Sequence, residues 1–298
     1  MKPVIFDFPT SSSLGKKVRE LIGGEEGEVL VRNFPDGESY LRIESDVKGR
    51  DVIVNATLFH PNDWILNLFF LADALKLQGA TRVGLLAPYL SYMRQDKVFQ
   101  PGEALTSKTF ANLLSTYFSY LVTVAPHLHR YHNLGDIYSI HTTVVKATPL
   151  IAEWIRANVE NPFLIGPDEE SVQWVKEIAG EFPYIVLKKI RYEDGRVEIS
   201  WPEIKDVGKK TLVLIDDIIS SGATMLQAIH HLKDKEISAP TCIAIHAIFG
   251  ENSYQKLKDL GVKEIVTCNS ISHPSNQIDL SPLLAQALTS ILSEEIKA

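Results

Sequence analysis

Two adjacent carboxylates and a short hydroxylated loop follow an apolar run in the last third of the chain. Asp216 and Asp217 come directly after residues 211–215, and the loop 220–224 (SSGAT) leads into a helical pattern over 225–233. Backbone N–H groups and hydroxyls at the start of a helix bind phosphate, because the donors point outward and the helix dipole favours an anion. The loop lacks the lysine of a Walker A loop. Because carboxylates repel a phosphate, we expect the acid pair to hold the vicinal hydroxyls of a ribose, or a metal near it.

A plainer interpretation of the same segment is that the acids end a strand and the serines cap a helix. The order of apolar strand, acid pair, small loop and helix favours a ligand site. The segment resembles the ribose-5-phosphate loop of the phosphoribosyltransferase superfamily, although Ala223 replaces the glycine that usually precedes the final threonine. The resemblance implies a ribose diol on Asp216 and Asp217, and a 5-phosphate on Ser220, Ser221, Gly222, Ala223 and Thr224.

Two segments in the first half of the chain carry side chains suited to a nucleotide. The segment 34–38 (FPDGE) has turn composition and follows a predicted strand. The segment 88–97 (PYLSYMRQDK) follows the apolar run 82–86 and contains Arg94 beside Gln95. An arginine fork binds phosphate oxygens through two parallel hydrogen bonds, and the glutamine amide can bind a base edge. Each segment alone is weak evidence, since an Arg-Gln-Asp triplet is usually a solvated turn.

Together with the acid-pair segment, these two motifs resemble the ribose-phosphate pyrophosphokinase (phosphoribosyl pyrophosphate synthetase) family over roughly residues 28–270. The resemblance implies a homo-oligomer in which the first motif of one subunit and the second motif of its neighbour form a shared ATP site. An aromatic ring in the first motif suits this role because it can stack on adenine. The implied ATP-binding residues are Phe34, Asp36, Gly37, Glu38, Arg94, Gln95 and Asp96.

Two strand-end residues match positions that bind Mg²⁺ in the same family. His127 follows the run 123–126 (TVAP), and Asp168 ends the segment 165–168 (IGPD). Mg²⁺ prefers oxygen ligands and keeps several waters, so one carboxylate plus substrate oxygens is sufficient. The family usually has aspartate in place of Ala125, and that carboxylate would orient the histidine.

Each metal assignment has an alternative in the sequence itself. His129 and His132 lie beside the first position and could suggest zinc, but no cysteine or further ligand spacing accompanies them. Asp168 can be the N-cap of a helix over 169–180, a role that is compatible with ligand binding. The family usually continues after this aspartate with small residues, whereas Glu169-Glu170-Ser171 follow here and add negative charge.

A basic pair, Lys189 and Arg191, follows the predicted strand 184–187. Taken alone, a lysine at a strand end is mostly a solvated charge. The family has a catalytic Lys-x-Arg in this position, at the base of a mobile loop, so the resemblance implies that Lys189 and Arg191 are catalytic. The implied reaction is ATP-dependent transfer of diphosphate to the 1-hydroxyl of ribose 5-phosphate, which gives 5-phosphoribosyl 1-diphosphate and AMP with Mg²⁺ as cofactor.

Three alternatives to this activity stay open at the level of sequence. An ordinary phosphoribosyltransferase would share the loop at 216–224 but would not need the two nucleotide motifs. A catalytically weak paralogue that binds nucleotide and regulates a partner enzyme is favoured by Ala125, Ala223 and the acidic residues after Asp168. A purely structural α/β protein is disfavoured by the number of ligand-type motifs that agree.

The elements that must position these residues alternate between strands and helices. Near-continuous apolar strands separated by amphipathic segments predict an α/β fold with two phosphoribosyltransferase-like domains, each a mostly parallel sheet flanked by helices. The predicted domains are residues 1–145 on the nucleotide side and 146–298 on the ribose-5-phosphate side, with the C-terminal helix a candidate to pack on the first domain. The predicted strands are 3–6, 28–32, 51–55, 82–86, 121–124, 163–165, 184–187, 211–215, 241–245 and 264–267.

Composition excludes several other classes of protein. The chain has 298 residues with a net charge of −7 and lacks a run of like charges, which argues against nucleic-acid partners. The most apolar stretch, 64–77, is too short and too polar to span a membrane. The N-terminus lacks the apolar core of a signal peptide. Cys242 and Cys268 lie in strand-like surroundings, so we expect buried thiols and a cytoplasmic protein.

Overall fold

The computed structural model describes residues 1–8, 13–180, 182–191, 197–200, 210–220, 222–234 and 239–294, with the backbone alone for 170, 188–191, 197–200 and 234. The chain divides into two compact units, one of residues 1–145 with 280–298 and one of residues 146–279. The elements of unit 1 in chain order are β1 (Val4–Asp7), α1 (Leu14–Ile22), β2 (Glu25–Glu26), β3 (Val29–Asn33), β4 (Ser39–Ile43), β5 (Asp51–Asn55), α2 (Ile65–Leu77), β6 (Arg82–Ala87), α3 (Thr106–Tyr117), β7 (Tyr120–Val124) and β8 (His141–Val145).

Unit 1 is built on a six-stranded parallel sheet in the order β2-β1-β5-β6-β7-β8. Both faces of its central strands are buried, as near-continuous apolar strands predict. Helices α2 and α3 cover one face, where Leu68, Leu71 and Phe110 pack into one cluster with Val54 and Leu85. The predicted strand 28–32 is β3, but it lies outside this sheet and pairs antiparallel with β4.

Unit 2 repeats this architecture. Its elements are α4 (Thr148–Asn158), β9 (Pro162–Gly166), α5 (Val172–Ala179), β10 (Tyr184–Val186), β11 (Lys188–Arg191), β12 (Val197–Ser200), β13 (Thr211–Ile218), α6 (Ala223–Asp234), β14 (Thr241–His246), α7 (Ser253–Asp259), β15 (Glu264–Cys268) and β16 (Asn276–Ile278). The sheet is parallel in the order β10-β9-β13-β14-β15-β16, and β11 and β12 form a separate antiparallel hairpin.

The two sheets have the same topology. In each, the first strand has a short edge strand on one side and the remaining strands in chain order on the other. In each, an antiparallel hairpin is inserted between the edge strand and the next central strand. The chain therefore contains two copies of one fold, although no clean sequence repeat accompanies them. In both copies the carboxyl ends of the parallel strands meet at one edge of the sheet, where ligands bind in open α/β folds.

The last helix, α8 (Ser281–Ser293), belongs to unit 1 although it follows unit 2 in the chain. It packs beside α1 and against β7 and β8, so the two helices cover the face of the sheet opposite α2 and α3. Its buried side chains include Leu284, Leu288 and Ile291. Unit 2 consequently ends at residue 279, which is shorter than the predicted domain 146–298.

Two helices, α4 and α8, carry a proline in their first turn. Their N-cap residues are Ala147 and Leu280, so Thr148 and Ser281 are the first helical residues and the prolines the second. Proline is tolerated in the first turn, because an N–H there has no intrahelical acceptor to lose. The hydroxyl residues are buried at these positions.

The expectation that both cysteines are buried thiols is confirmed. Cys242 and Cys268 are free and buried, and burial raises the pKa of the Cys242 thiol to about 12. Within the ranges that the structure describes, helices long and apolar enough to cross a membrane are absent.

We expect Leu288→Ala to lower the free energy of unfolding by about 2–5 kcal/mol, because it leaves a cavity where α8 packs on unit 1. Leu77→Ala is the matched control, since the Leu77 side chain is 81% exposed and its loss should change stability by less than about 0.5 kcal/mol. Urea denaturation of both variants measures the difference. Equal effects would contradict the assignment of α8 to the core of unit 1.

Candidate active site

The FPDGE motif forms the turn of the hairpin β3–β4. Asn33 pairs with Ser39, so the five motif residues make up the whole loop. Inside it, the N–H of Phe34 donates to the carbonyl of Glu38 (2.7 Å) and the N–H of Gly37 donates to the carbonyl of Phe34 (2.9 Å). The Asp36 carboxylate accepts the N–H of Glu38 at 3.2 Å. Gly37 has a φ of 93°, in the left-handed region that favours glycine. The motif therefore fixes a tight turn in addition to any ligand role.

The Phe34 ring lies in an aromatic and cationic cluster on this hairpin. Its side chain is 41% exposed, which leaves part of the ring open to solvent. The Arg32 guanidinium lies 4.2 Å from the centre of the Tyr40 ring and 5.1 Å from that of Phe34. The two rings meet edge to face at 6.1 Å. Arg32 and Tyr40 were missed by the sequence analysis, and their cross-strand pairing on the hairpin is the signal that could have identified them.

The RQD motif lies in the loop that follows β6. Along this triplet the exposure falls from residue to residue: Arg94 is exposed, Gln95 is half-buried and Asp96 is buried. The Asp96 carboxylate forms an ion pair with Arg130, in which the guanidinium N–H donates to Oδ1 at 2.6 Å. Arg94 and Gln95 are thus the two members of the triplet that a ligand can reach.

The predicted metal histidine lies in the loop that follows β7. Because β6 and β7 are neighbouring parallel strands, this loop and the RQD loop leave the same edge of the sheet side by side. His127 is half-buried, and its ring centre lies 6.2 Å from that of His129. Ala125 has a φ of 37°, a conformation that aspartate tolerates better than alanine. Among the described residues, groups of three metal-binding side chains are absent, so the zinc alternative at His129 and His132 gains no support.

Three carboxylates lie at the carboxyl edge of the unit 2 sheet, at the ends of the neighbouring strands β9 and β13. The Asp168 carboxylate accepts the N–H of Ser171 (3.3 Å), and the Ser171 hydroxyl donates to the Asp168 carbonyl (2.6 Å). Asp168 thus caps the 3-10 turn Glu169–Ser171, and the α-helix begins only at Val172. The predicted helix over 169–180 was therefore too long at its start.

Burial raises the pKa of Asp216 well above its usual range, and the neighbouring negative charges of Asp217 and Asp168 add to this rise. The backbone N–H of Asp217 donates to the Asp216 carboxylate at 3.0 Å and opposes the rise. Mutual repulsion among carboxylates is relieved by a cation. Mg²⁺ takes one or two carboxylates and fills its remaining positions with water and substrate oxygens, so one or two of these side chains would be sufficient to hold it.

The phosphate loop connects β13 to α6. The carbonyl of Gly222 accepts the N–H of Leu226 at 2.7 Å, which starts the helix, and Gly222 has a φ of 73°. Ala223 and Thr224 form the first turn of α6, where backbone N–H groups have no intrahelical acceptor. Ser220 is half-buried just before the turn. Ser221 lies outside the described residues.

A second segment, from the loop after β14, supports the phosphate loop. The N–H of Phe249 donates to the carbonyl of Ile219 (2.7 Å), and the hydroxyl of buried Ser253 donates to the carbonyl of Ser220 (2.8 Å). A Cβ at position 222 would lie 3.0 Å from the Ser253 Cβ. Both this short distance and the positive φ of the backbone therefore favour glycine at position 222. Ser253 was missed by the sequence analysis, because its position relative to the loop depends on the pairing of β13 with β14.

The predicted catalytic pair lies on the hairpin β11–β12. The backbone of Lys189 pairs with Ile199, and that of Arg191 pairs with Val197. The two residues are two apart in one strand, which is the period of an extended chain. This hairpin has the same topological position in unit 2 as the FPDGE hairpin has in unit 1.

The predicted residues fall into two sets. In unit 1, the FPDGE turn lies on a hairpin, and Arg94, Gln95 and His127 lie at the carboxyl edge of the sheet. In unit 2, Asp168, the acid pair and the phosphate loop lie together at the equivalent edge. Strand order explains both groupings, because adjacent parallel strands deliver their following loops to the same edge.

Two models of protein families match the chain. The N-terminal domain of ribose phosphate pyrophosphokinase matches residues 3–117, and the phosphoribosyl transferase domain matches residues 133–283. The fold and the two sets of site residues thus define a chain of two phosphoribosyltransferase-type units.

Relatives that match over nearly the whole chain identify the family within this class. A ribose-phosphate pyrophosphokinase of Sulfolobus acidocaldarius is 35% identical over 294 residues, covering 96% of this chain and all of the relative. The Bacillus subtilis ribose-phosphate pyrophosphokinase is 28% identical, covering 98% of this chain and 94% of the relative. The crystal structure of phosphoribosylpyrophosphate synthetase from Mycobacterium smegmatis superposes with a TM-score of 0.86 at 23% identity, covering 98% and 99% of the two chains. The chain belongs to the ribose-phosphate pyrophosphokinase family.

We expect Asp216→Asn to stabilise the ligand-free protein at neutral pH by about 0.5–2 kcal/mol while it impairs activity, as is common for strained site residues. The folded-state pKa of Asp216 is raised, so the folded protein holds this proton more tightly than the unfolded chain. The resulting stability is present at pH values below the unfolded pKa and is lost as pH rises through the folded pKa. Denaturant unfolding at pH 5 and pH 8 tests this.

The wild-type protein should lose more stability between the two pH values than Asp216→Asn. Asp259→Asn, at an exposed position on α7, is the control and should keep the wild-type pH dependence. Mg²⁺ should raise the melting temperature of the wild type more than that of Asp216→Asn. A variant that is less stable than wild type at pH 8 would contradict the role of repulsion in the acid cluster.

Proposed function

We propose that the chain catalyses ATP-dependent transfer of diphosphate to the 1-hydroxyl of ribose 5-phosphate, giving 5-phosphoribosyl 1-diphosphate and AMP. The observation that carries the proposal is the presence of a ribose-phosphate type loop with its acid cluster in unit 2, in a chain whose unit 1 carries two nucleotide motifs. An ordinary phosphoribosyltransferase needs the first feature and has no use for the second. The substrates and the two free buried thiols agree with a cytoplasmic location.

In the proposed reaction, the 1-hydroxyl oxygen of ribose 5-phosphate forms a bond to the β-phosphorus of ATP. The bond between the β-phosphorus and the oxygen that bridges to the α-phosphorus breaks, and AMP leaves with that oxygen. The hydroxyl proton passes to solvent. Phosphoryl transfer requires little covalent chemistry from a protein. The rate therefore depends mainly on how the protein positions the two substrates and neutralises the charge of the phosphates.

The acceptor is held by unit 2 in this proposal. Asp216 and Asp217 bind the ribose hydroxyls, and the 5-phosphate is bound by the backbone and hydroxyl donors of Ser220, Ser221, Gly222, Ala223 and Thr224. Lys189 and Arg191 stabilise the charge that develops on the α- and β-phosphates, since cations act most strongly where charge forms in the transition state. Bound Mg²⁺ would supply further neutralisation of the phosphate oxygens. His127 would hold one ion, and Asp168 would hold a second ion or contact the ribose.

The donor is held by the nucleotide motifs. Phe34 stacks on adenine, and Asp36, Gly37 and Glu38 line the base with backbone and carboxylate groups. Arg94 and Gln95 bind the nucleotide from the neighbouring subunit's second motif, which makes each ATP site shared within a homo-oligomer. The half-exposed Phe34 ring, backed by Arg32 and Tyr40, supports this role because a stacking platform must be accessible and held in place.

A catalytically weak regulatory paralogue is the second candidate. Alanine in a left-handed conformation at Ala125, where the family usually has aspartate, specifically favours it. Such a protein would bind MgATP and ribose 5-phosphate without releasing AMP.

We expect the purified protein to release AMP from MgATP in the presence of ribose 5-phosphate and to form 5-phosphoribosyl 1-diphosphate in equal amount. Lys189→Ala should lower kcat by about a hundredfold or more while ATP affinity changes little, because the lost cation acts mainly on the transition state. Coupled AMP detection with calorimetric ATP binding measures both. Lys210→Ala is a matched control, since Lys210 lies over the Phe163 ring at 5.2 Å and has no assigned role in the reaction. AMP release without a ribose product would refute the proposed reaction, and normal turnover in Lys189→Ala would refute the role of the lysine.

The shared ATP site can be tested by mixing two inactive variants. Phe34→Ala removes the proposed adenine platform, and Lys189→Ala removes the proposed catalytic cation. In a mixed oligomer, about a quarter of the sites receive both intact residues when subunits pair at random. Activity should therefore return to roughly this fraction of wild type after subunit exchange, which native mass spectrometry verifies. Exchange without recovery would mean that each ATP site is built within one chain.

A further inference from the structure

We infer that Arg130 and Tyr131 are positioning residues for the nucleotide, and that Asp96 anchors the RQD loop instead of binding ATP. The inference rests on the proposed function and refines the role of one predicted residue. It is carried by four contacts among the loop that follows β6, the start of α3 and the loop that follows β7, all within unit 1.

The first contact is the ion pair between Asp96 and Arg130. The guanidinium N–H donates to Asp96 Oδ1 at 2.6 Å, and the Asp96 side chain is 1% exposed. The Arg130 side chain is 34% exposed, so the cation reaches inward from the surface to a buried carboxylate. Oδ2 of Asp96 is buried and has no hydrogen-bond partner among the described residues. A carboxylate in this setting is inaccessible to a bound nucleotide, and it depends on Arg130 for its charge balance.

The other three contacts hold the backbone on either side of this pair. The Tyr131 hydroxyl donates to the carbonyl of Asp96 at 3.2 Å, and Tyr131 and Ser107 hydroxyls lie 3.0 Å apart. The N–H of Ser107, near the start of α3, donates to the carbonyl of Gln95 at 3.3 Å. Side-chain and backbone groups of residues 95 and 96 are thus fixed from the β7 loop and from α3.

The contacts of Asp96 with Arg130 and Tyr131, which we call the anchor, have a direct consequence for the two residues before Asp96. Fixing Asp96 in the interior leaves Arg94 exposed and Gln95 half-buried at the sheet edge. An arginine fork binds phosphate well only when its position is fixed, because ordering a long side chain costs conformational entropy. Arg130 also lies three residues after His127, so the same contacts hold the RQD loop beside the loop of the proposed metal residue.

The test is a double-mutant cycle with Asp96→Asn, Arg130→Met and the double variant. Each single variant should raise the KM for ATP roughly tenfold or more, since a charge-assisted hydrogen bond is lost, while the KM for ribose 5-phosphate stays within about twofold. The double variant should be no worse than the worse single variant, because both changes break one pair. Tyr131→Phe removes only a neutral hydrogen bond and should raise the KM for ATP a few-fold.

Arg82→Met is the matched control. Arg82 forms an ion pair of the same length with Asp51, at 2.6 Å, where β5 and β6 begin, so it lies at the opposite edge of the same sheet. Its loss should lower the melting temperature and leave the KM for ATP unchanged. If Arg130→Met behaves like this control, the pair is merely structural and the inference fails. If Asp96→Asn weakens ATP binding and Arg130→Met does not, or if the two effects add, Asp96 contacts the ligand directly and the inference fails as well.

Failure of the proposed function can be told apart from failure of this inference. MgATP binding is measured by calorimetry without ribose 5-phosphate on the same four variants and the control. If the wild type binds MgATP and releases no AMP, the proposed reaction is wrong, yet weaker MgATP binding in Arg130→Met and Tyr131→Phe still supports the anchor. If those variants bind MgATP as the wild type does, the anchor is overturned whatever the activity.

Discussion

Repulsion among the carboxylates at one sheet edge is the constraint on which the rest of unit 2 depends. Burial together with Asp217 and Asp168 raises the pKa of Asp216, so the ligand-free cluster is electrostatically unfavourable. Such a cluster persists only because the parallel sheet holds β9 and β13 side by side and because Ser171 and the Asp217 backbone donate hydrogen bonds to it. In the proposed function, a cation and the ribose hydroxyls would relieve this repulsion when they bind.

At the equivalent edge of unit 1, the acidic side chain is paired with an amide and a guanidinium in place of further carboxylates. Asn55 ends β5, the counterpart of β13, and its amide donates to Asp7 at 2.7 Å. Arg19 completes an ion pair with Asp7 at 2.8 Å. Burial still raises the pKa of Asp7, but the amide and the guanidinium lower it. The Asp7 carboxylate is thus paired with Asn55 and Arg19, although Asn55 Oδ1 is buried without a hydrogen-bond partner among the described residues. The proposed nucleotide residues of unit 1 lie on the hairpin and on the loops after β6 and β7.

Supporting contacts recur beneath each proposed ligand loop. Ser253 and Phe249 hold the phosphate loop from the end of β14, and Arg130 with Tyr131 holds the RQD loop from the end of β7. In both cases the support comes from the neighbouring strand of a parallel sheet. Hydrogen bonds to the next loop limit the conformations that an exposed loop can adopt. The ligand-binding groups on that loop are therefore held in more defined positions.

The α/β class, the two-domain organisation and most strands of both sheets could be predicted from the sequence, because apolar runs and turn residues are local signals. The edge strands β2, β8 and β16 were not predicted. The motifs at 34–38, 94–96 and 216–224 are local too, and their combination in one chain was enough to propose a ligand class for each. Tertiary structure alone decided two things: that β3 leaves the parallel sheet, and that Asp96 is buried against Arg130. It also decided that Ser253 lies under Ser220. Each of these depends on which strands and loops become neighbours, and contacts between distant residues leave no periodic trace in a single sequence.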